Sequence, residues 1–147
     1  MEDDEDRDRN RKATIVIEHL IQASDVSHTM QHWNVYRKWN EKLLQELYLA
    51  YKLGRSDVDP TVNWAKGEIG FFDFYIIPLA KKLKECGVFG VSCDEVLDYA
   101  NDNRMEWEQK GKKIIQDWLA HEEMQASSSY GETCSESGDS ASVGSSA

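Results

Sequence analysis

The hydrophobic pattern of the chain centres on one run, from Ile69 to Ala80, in which Asp73 is the only formally charged residue. Phe71, Phe72, Phe74 and Tyr75 crowd into it. On a surface element these rings would leave a large apolar area in water, although each such side chain gains roughly 1.5–3 kcal/mol on burial. A bilayer span needs about 20 apolar residues, so the run reads as a core element. Ile69, Phe72, Ile76, Leu79 and Leu83 follow three- and four-residue spacing, which places them on one helical face. Pro78 removes one amide donor and bends a helix here rather than ending it. The pattern predicts a bent, buried helix over about residues 62–85. Glu68 and Asp73 lie within it and need partners or solvent, because a buried unpaired carboxylate is costly.

The same periodicity places other helices. From about residue 9 to 25, Ala13, Ile17, Leu20, Ile21 and Ser24 share a face, with Ile15 and Val16 beside them. The stretch 23–33, whose middle is rich in Ser, Thr and His, reads as a connection. A helix over about 33–53 carries Tyr36, Trp39, Leu43, Leu47 and Ala50 as its expected buried stripe, with Leu44 and Tyr51 adding to it. Gly54 suits the position just past its end. Residues 55–63, with Asp59-Pro60, read as a loop. After a glycine-containing turn, Ser92 and Glu95 form a capping box. The helix they open carries Val96, Tyr99, Ala100, Trp107, Ile114, Ile115, Trp118 and Leu119, to about His121. No strand pattern and no internal repeat appear. The fold expected is all-α, an antiparallel bundle of about four helices. A charged segment over 1–12 precedes a domain over 13–122. A Ser/Gly/acidic tail over 123–147 cannot offset its ordering entropy and is expected to be disordered.

Composition narrows the function classes. The 147 residues carry a formal charge of −10, which argues against a nucleic-acid partner that needs a basic stripe. No apolar leader follows Met1 and no stretch is long enough to span a membrane. Cys86, Cys93 and Cys134 are odd in number and contain no CxxC, which fits reduced thiols in an intracellular protein.

Little in the pattern alone points to chemistry. Asp25, His28 and His32 have the spacing of a zinc face, but no glutamate follows His28 as in HExxH, and the segment reads as a loop. Two loop histidines and a capping Asp25 is the favoured reading from spacing. Trp33, Tyr36, Trp39 and Phe71 read as core before they read as binding surface.

Two longer stretches change the picture. Ala23-Ser24-Asp25-Val26-Ser27-His28, followed by Tyr36 and Trp39, resembles the A-D-[LV]-S-x…Y-x-x-W segment of class I cyclic-nucleotide phosphodiesterases. Glu68-Ile69-Gly70-Phe71-Phe72-Asp73-Phe74 resembles that family's Q-V-G-F-I-D-[FY] motif, and Ile77-Pro78-Leu79 continues it. Asn103-Arg104…Trp107 resembles the family's N-R…W. The resemblance covers about residues 12–110, in family order. It implies the C-terminal portion of a helical, HD-type catalytic domain that hydrolyses cAMP or cGMP to the 5′-monophosphate in signal transduction.

By the same resemblance, Asp25 matches the aspartate that closes a site for zinc and a second divalent ion, usually magnesium, whose bridging hydroxide attacks phosphorus. Phe71 matches the ring that stacks on the purine and Leu43 the apolar residue on its other face. His28, Tyr36 and Trp39 match positions lining the base pocket. Glu68 stands where the family has a purine-selecting Gln. An ionised carboxylate only accepts hydrogen bonds, which suits the adjacent donors of guanine and predicts a cGMP lean. The histidine motifs that complete the metal site have no counterpart here and would precede Met1. The chain is therefore expected to be inactive alone, with the N-terminal half of the catalytic domain as its missing partner. Apolar faces of the helices at about 13–24 and 62–85 should then be exposed. The alternative is a non-catalytic helical nucleotide-binding or protein-interaction module.

Overall fold

The apolar run folds as helix and stays helical through Pro78. The computed structural model of the chain describes residues 2–132. Its helices are α1 (Glu2–Asp25), α2 (Trp33–Lys52), α3 (Trp64–Phe71), α4 (Ile77–Glu85) and α5 (Cys93–Glu132). Single 3₁₀ turns at Ser27–Met30, Pro60–Val62 and Gly90–Ser92 join them, and Phe72–Ile76 is a turn of π-helix linking α3 to α4. Among the described residues the fold is all-α, with no strand.

The π turn follows from Pro78. A proline has no N–H, and its ring clashes with the carbonyl four residues back. The backbone widens by one residue instead of breaking, so that the Ile77 N–H donates to the Phe72 carbonyl. Phe72, Ile76, Leu79, Ala80 and Leu83 all remain buried across it. α1 packs against α4.

An aromatic cluster fills the centre of the unit Met1–Lys112. The Tyr36 ring, 0% exposed, meets Phe72 edge-on at 5.3 Å and Trp107 at 6.1 Å, with Trp33 tilted at 5.6 Å. Such pairs add about 0.5–1.5 kcal/mol each beyond the area they bury.

Little more than one turn of α5 ties this unit together. Asn103 Nδ2 donates to the carbonyls of Thr29 at 2.8 Å and Gln31 at 2.7 Å, fixing the turn after α1. Arg104 grips the Asp73 carboxylate through Nε at 2.7 Å and Nη2 at 3.1 Å. Trp107 Nε1 donates to the Ala65 carbonyl at 3.0 Å. Gly111 lies under that indole, where an added Cβ would come within 3.2 Å of the ring.

Several expectations from the pattern are corrected. The buried stripe of α2 is Tyr36, Asn40 and Leu44, whereas Trp39, Leu43 and Leu47 are exposed. The two faces lie side by side, and a hydrogen-bonded Asn40 in the core moved the buried one by a position. On α1 Ala23 is buried, and the exposure of Ile15, Ile17 and Ile21 agrees with the open apolar face expected there. Val62, Phe74 and Tyr75 are exposed as well. The charged segment belongs to α1 from Glu2 on, with Arg9–Asp6 at 3.3 Å and Lys12–Asp8 at 2.6 Å along its solvated surface.

In the second unit, Lys113–Ala147, the helix continues to Glu132 rather than closing near His121. Glu122, Glu123, Met124, Gln125 and Ala126 are good helix formers. Ser127 Oγ folds back onto the Glu123 carbonyl at 2.8 Å. The rest of the expected tail, with Cys134, lies outside the described residues.

The α5 ties can be ranked. Asn103→Ala strands two carbonyls beneath a buried site and should cost about 2–3 kcal/mol of stability. Arg104→Ala removes a partly solvated pair and should cost no more than about 1 kcal/mol. Chemical denaturation of both variants checks this, and equal losses would contradict it.

Candidate functional site

α2 and α3 face each other through two matched pairs of side chains one helical turn apart. Tyr36 and Asn40 come from α2; Trp64 and Glu68 come from α3. Trp64 Nε1 donates to Asn40 Oδ1 at 3.0 Å, and Asn40 Nδ2 donates to Tyr36 Oη at 3.2 Å. Tyr36 Oη in turn donates to Glu68 Oε2 in a short hydrogen bond. Buried polar groups need partners, and this chain of bonds supplies them.

The electrostatics follow from the burial. Burial pushes the Glu68 carboxyl above its usual range, and the hydrogen bonds from Tyr36 and Asn40 pull it part of the way back. Burial first, and then the Glu68 charge, hold the Tyr36 phenol well above its ordinary value, so the proton stays on Tyr36. Phe71 follows Glu68 by three residues on α3, half-buried, with its ring stacked on Tyr75 at 5.4 Å and 9°.

His28 approaches from the turn after α1. Its ring lies parallel to Tyr36 at 6.2 Å and 14°, and burial lowers its pKa. His28, Tyr36 and Glu68 are thus brought together, with Phe71 three residues past Glu68 on α3. Tyr36 has no exposed surface and reaches the site only through Glu68. Trp39 and Leu43 lie on the neighbouring, exposed face of α2, with Lys42 Nζ 5.0 Å above the Trp39 ring.

Asp25 closes α1, exposed, immediately before the His28 turn. His32 is not near it in role: its Nδ1 caps α2 by accepting from the Asn34 N–H at 3.2 Å. Among the described residues no three His, Cys, Asp or Glu side chains converge as a metal site. A zinc or magnesium ion needs several donors, so Asp25 alone does not fit one.

Asn40 and Trp64 are the site residues that the pattern missed. An Asn one turn after a tyrosine in an apolar stretch was the available signal, and it is a weak one.

The model of the 3′5′-cyclic nucleotide phosphodiesterase family matches residues 1–95. The chain belongs to this family. Its all-α fold agrees with that membership. Among curated relatives, the probable 3′,5′-cyclic phosphodiesterase pde-1 of Caenorhabditis elegans is 35% identical over 67 residues, 40% of this chain and 10% of that protein. The 3′,5′-cyclic-AMP phosphodiesterase 4C of Mus musculus is 28% identical over 102 residues, covering 64% of this chain and 14% of the relative. Its Rattus norvegicus counterpart matches at the same identity, over 18% of its length. The chain therefore spans well under two thirds of each of these phosphodiesterases. No solved structure matches it significantly.

Within this phosphodiesterase segment, the raised Glu68 pKa and the lowered Asp73 pKa act on stability in opposite directions. Asp73 stabilises above its unfolded value and loses that contribution as pH falls through its folded value. Glu68 favours folding most below its unfolded value, and that contribution is lost as pH rises through its higher folded value. Glu68→Gln should therefore melt above the wild type at pH 7, with the gap closing near pH 4. Thermal melts across that range measure it; a gap independent of pH would contradict the assignment.

Proposed function

We propose that this chain carries the base-reading wall of a cyclic-nucleotide phosphodiesterase domain, acting on cAMP or cGMP in intracellular signalling, with a lean toward cGMP. The observation that supports this most is the Glu68 carboxylate, held by Tyr36 on α3 three residues before Phe71. An ionised carboxylate accepts and cannot donate. Guanine offers adjacent N1–H and 2-amino donors that it can take together. Adenine would set its N1 lone pair against the same oxygen. Phe71 supplies a face for stacking, with Leu43, Trp39 and His28 as the remaining walls.

Asp25 is proposed as one metal ligand of the assembled domain. Its further ligands, the zinc and magnesium ions, and the group that protonates the leaving oxygen would come with the rest of that domain. One carboxylate does not hold two metals. The chain by itself should then bind nucleotide without hydrolysing it. The donor set equally favours a non-catalytic nucleotide-binding role. No helix among the described residues is long and apolar enough to cross a membrane.

Isothermal titration of the 147-residue chain with each nucleotide tests this reading. We expect cGMP to bind about tenfold more tightly than cAMP at pH 8, from hydrogen-bond pairing. The preference should fade at lower pH, because a protonated carboxyl gains a donor that adenine N1 can use. Phe71→Ala should weaken both by at least about fivefold, from lost stacking. A clear cAMP preference with Glu68 ionised would sink the guanine assignment, and turnover by this chain with added zinc and magnesium would refute its catalytic incompleteness.

A further inference from the structure

A cavity of about 370 Å³ lies between the start of α2 and one stretch of α5. His32, Trp33, Tyr99, Asp102, Asn103 and Glu106 line it. The base-reading residues proposed above are not among them. We propose that this cavity binds a guanidinium group, held by the Asp102 and Glu106 carboxylates against the Trp33 and Tyr99 rings. An arginine side chain of a partner protein and a small guanidinium solute both carry that chemistry.

The observation that asks for a ligand is at Asn103. Its side chain is 1% exposed. Its Nδ2 donates to two carbonyls of the turn after α1, those of Thr29 and Gln31. Those two bonds fix which end of the amide is nitrogen and which is oxygen. Oδ1 is left buried, and no donor among the described residues reaches it. A buried acceptor calls for a donor. Asn103 thus lines the cavity with an acceptor that the fold itself does not use, and a ligand for this wall must bring N–H groups.

The charges fix the sign of that ligand. Asp102 and Glu106 are i and i+4 on α5, so they share a face, and like charges at that spacing repel. A cation between them removes the repulsion. Asp102 is exposed and takes part in no ion pair among the described residues. Glu106 meets Lys110 in an exposed pair, which is worth little and is readily exchanged. The start of α2 also faces the cavity, and its dipole, about half a positive charge, opposes a cation. Two full negative charges outweigh it, and His32 Nδ1 already caps the Asn34 N–H at 3.2 Å. The walls then choose between the two common cations. Trp33 and Tyr99 are half-buried rings. A guanidinium is flat, stacks on such rings, and holds five donors in a fork that grips a carboxylate twice and leaves others for an amide oxygen. An ammonium is more strongly hydrated and has no plane to stack.

NMR titration of the 147-residue chain with methylguanidinium tests this, read at the Trp33 indole and at the methyl group of Met105, which lines the same cavity. We expect both signals to shift saturably at about millimolar probe. Methylammonium has the same charge without the fork and should bind at least about fivefold more weakly. That comparison uses the unaltered chain, so folding does not enter it. Asp102→Asn keeps the shape of an exposed side chain and should weaken methylguanidinium by at least about fivefold. Asp98→Asn removes an equal charge one turn earlier on α5, outside the lining, and should change binding by less than about twofold. A short peptide with one central arginine separates the sources. Binding at least about tenfold tighter than methylguanidinium assigns the site to a protein segment, and binding no tighter assigns it to a small solute. Equal affinity for methylguanidinium and methylammonium, or equal losses in the two variants, reduces the effect to general attraction by an acidic chain and overturns the site. Unmoved Trp33 and Met105 signals overturn it as well.

Discussion

A phenol oxygen sealed inside an aromatic core must find both a donor and an acceptor among protein groups, and meeting that demand at Tyr36 organises this molecule. The ring is enclosed by Phe72, Trp107 and Trp33. Its hydroxyl finds an acceptor on α3, at Glu68. The same contact fixes the rotation of α2 about its axis, because Asn40 must follow Tyr36 into the interface. That rotation leaves Trp39, Leu43 and Leu47 on the open side. What looks like an excess of exposed apolar residues on α2 is thus a consequence of satisfying one buried hydroxyl.

α5 acts on the other side of this arrangement. Asn103, Arg104 and Trp107 are neighbours on one helix, and they reach the turn after α1, the π turn and α3 respectively. Each tie bridges a long sequence separation, so their value lies in closing loops whose entropy local contacts cannot recover. The Arg104–Asp73 pair also places a charge partner at the only acidic position in the apolar run, which explains how that run tolerates a carboxylate. The π turn and the ion pair are complementary. The extra residue that Pro78 forces into the turn is accommodated where Asp73 is held from outside.

Much of this architecture was legible in the sequence, for identifiable reasons. Helix existence follows from three- and four-residue spacing, and Gly54, at φ 69°, ends α2 as expected of a residue past a helix end. The buried face of α2 was not legible. Tyr36 belongs equally to a 36/39/43/47 stripe and a 36/40/44 stripe, and polarity alone assigns Asn40 to solvent. Only a partner on α3 reveals the second choice. The limit of α5 was misjudged for a different reason: serine-rich composition suggested loss of helix, yet the Ser127 hydroxyl bonds back to the helix it sits on. At the site, resemblance to the phosphodiesterases singled out Glu68, Phe71 and His28, and the structure sets His28 and Glu68 against Tyr36. The same resemblance cast Tyr36 as a pocket wall, but a residue with no exposed surface can act only through its neighbour. Asn40 and Trp64 carry no motif and became visible only as hydrogen-bond partners.

The base-reading role proposed for the carboxylate at position 68 sets recognition against stability. Burial disfavours its charged form, so the folded chain would be better served by a neutral group there. Glu68 keeps the Tyr36 hydrogen bond satisfied in either protonation state, so Tyr36 does not by itself require a charge. A charge is useful only to something outside the fold that brings donors with it. Residues that weaken a core without a structural return are expected where a ligand makes use of them. Glu68 fits that description better than Asp73, whose charge is already answered by Arg104. The physical case for the ligand proposed at this end of α3 therefore stands on burial: a carboxylate occupies position 68, where a neutral amide would fold more comfortably.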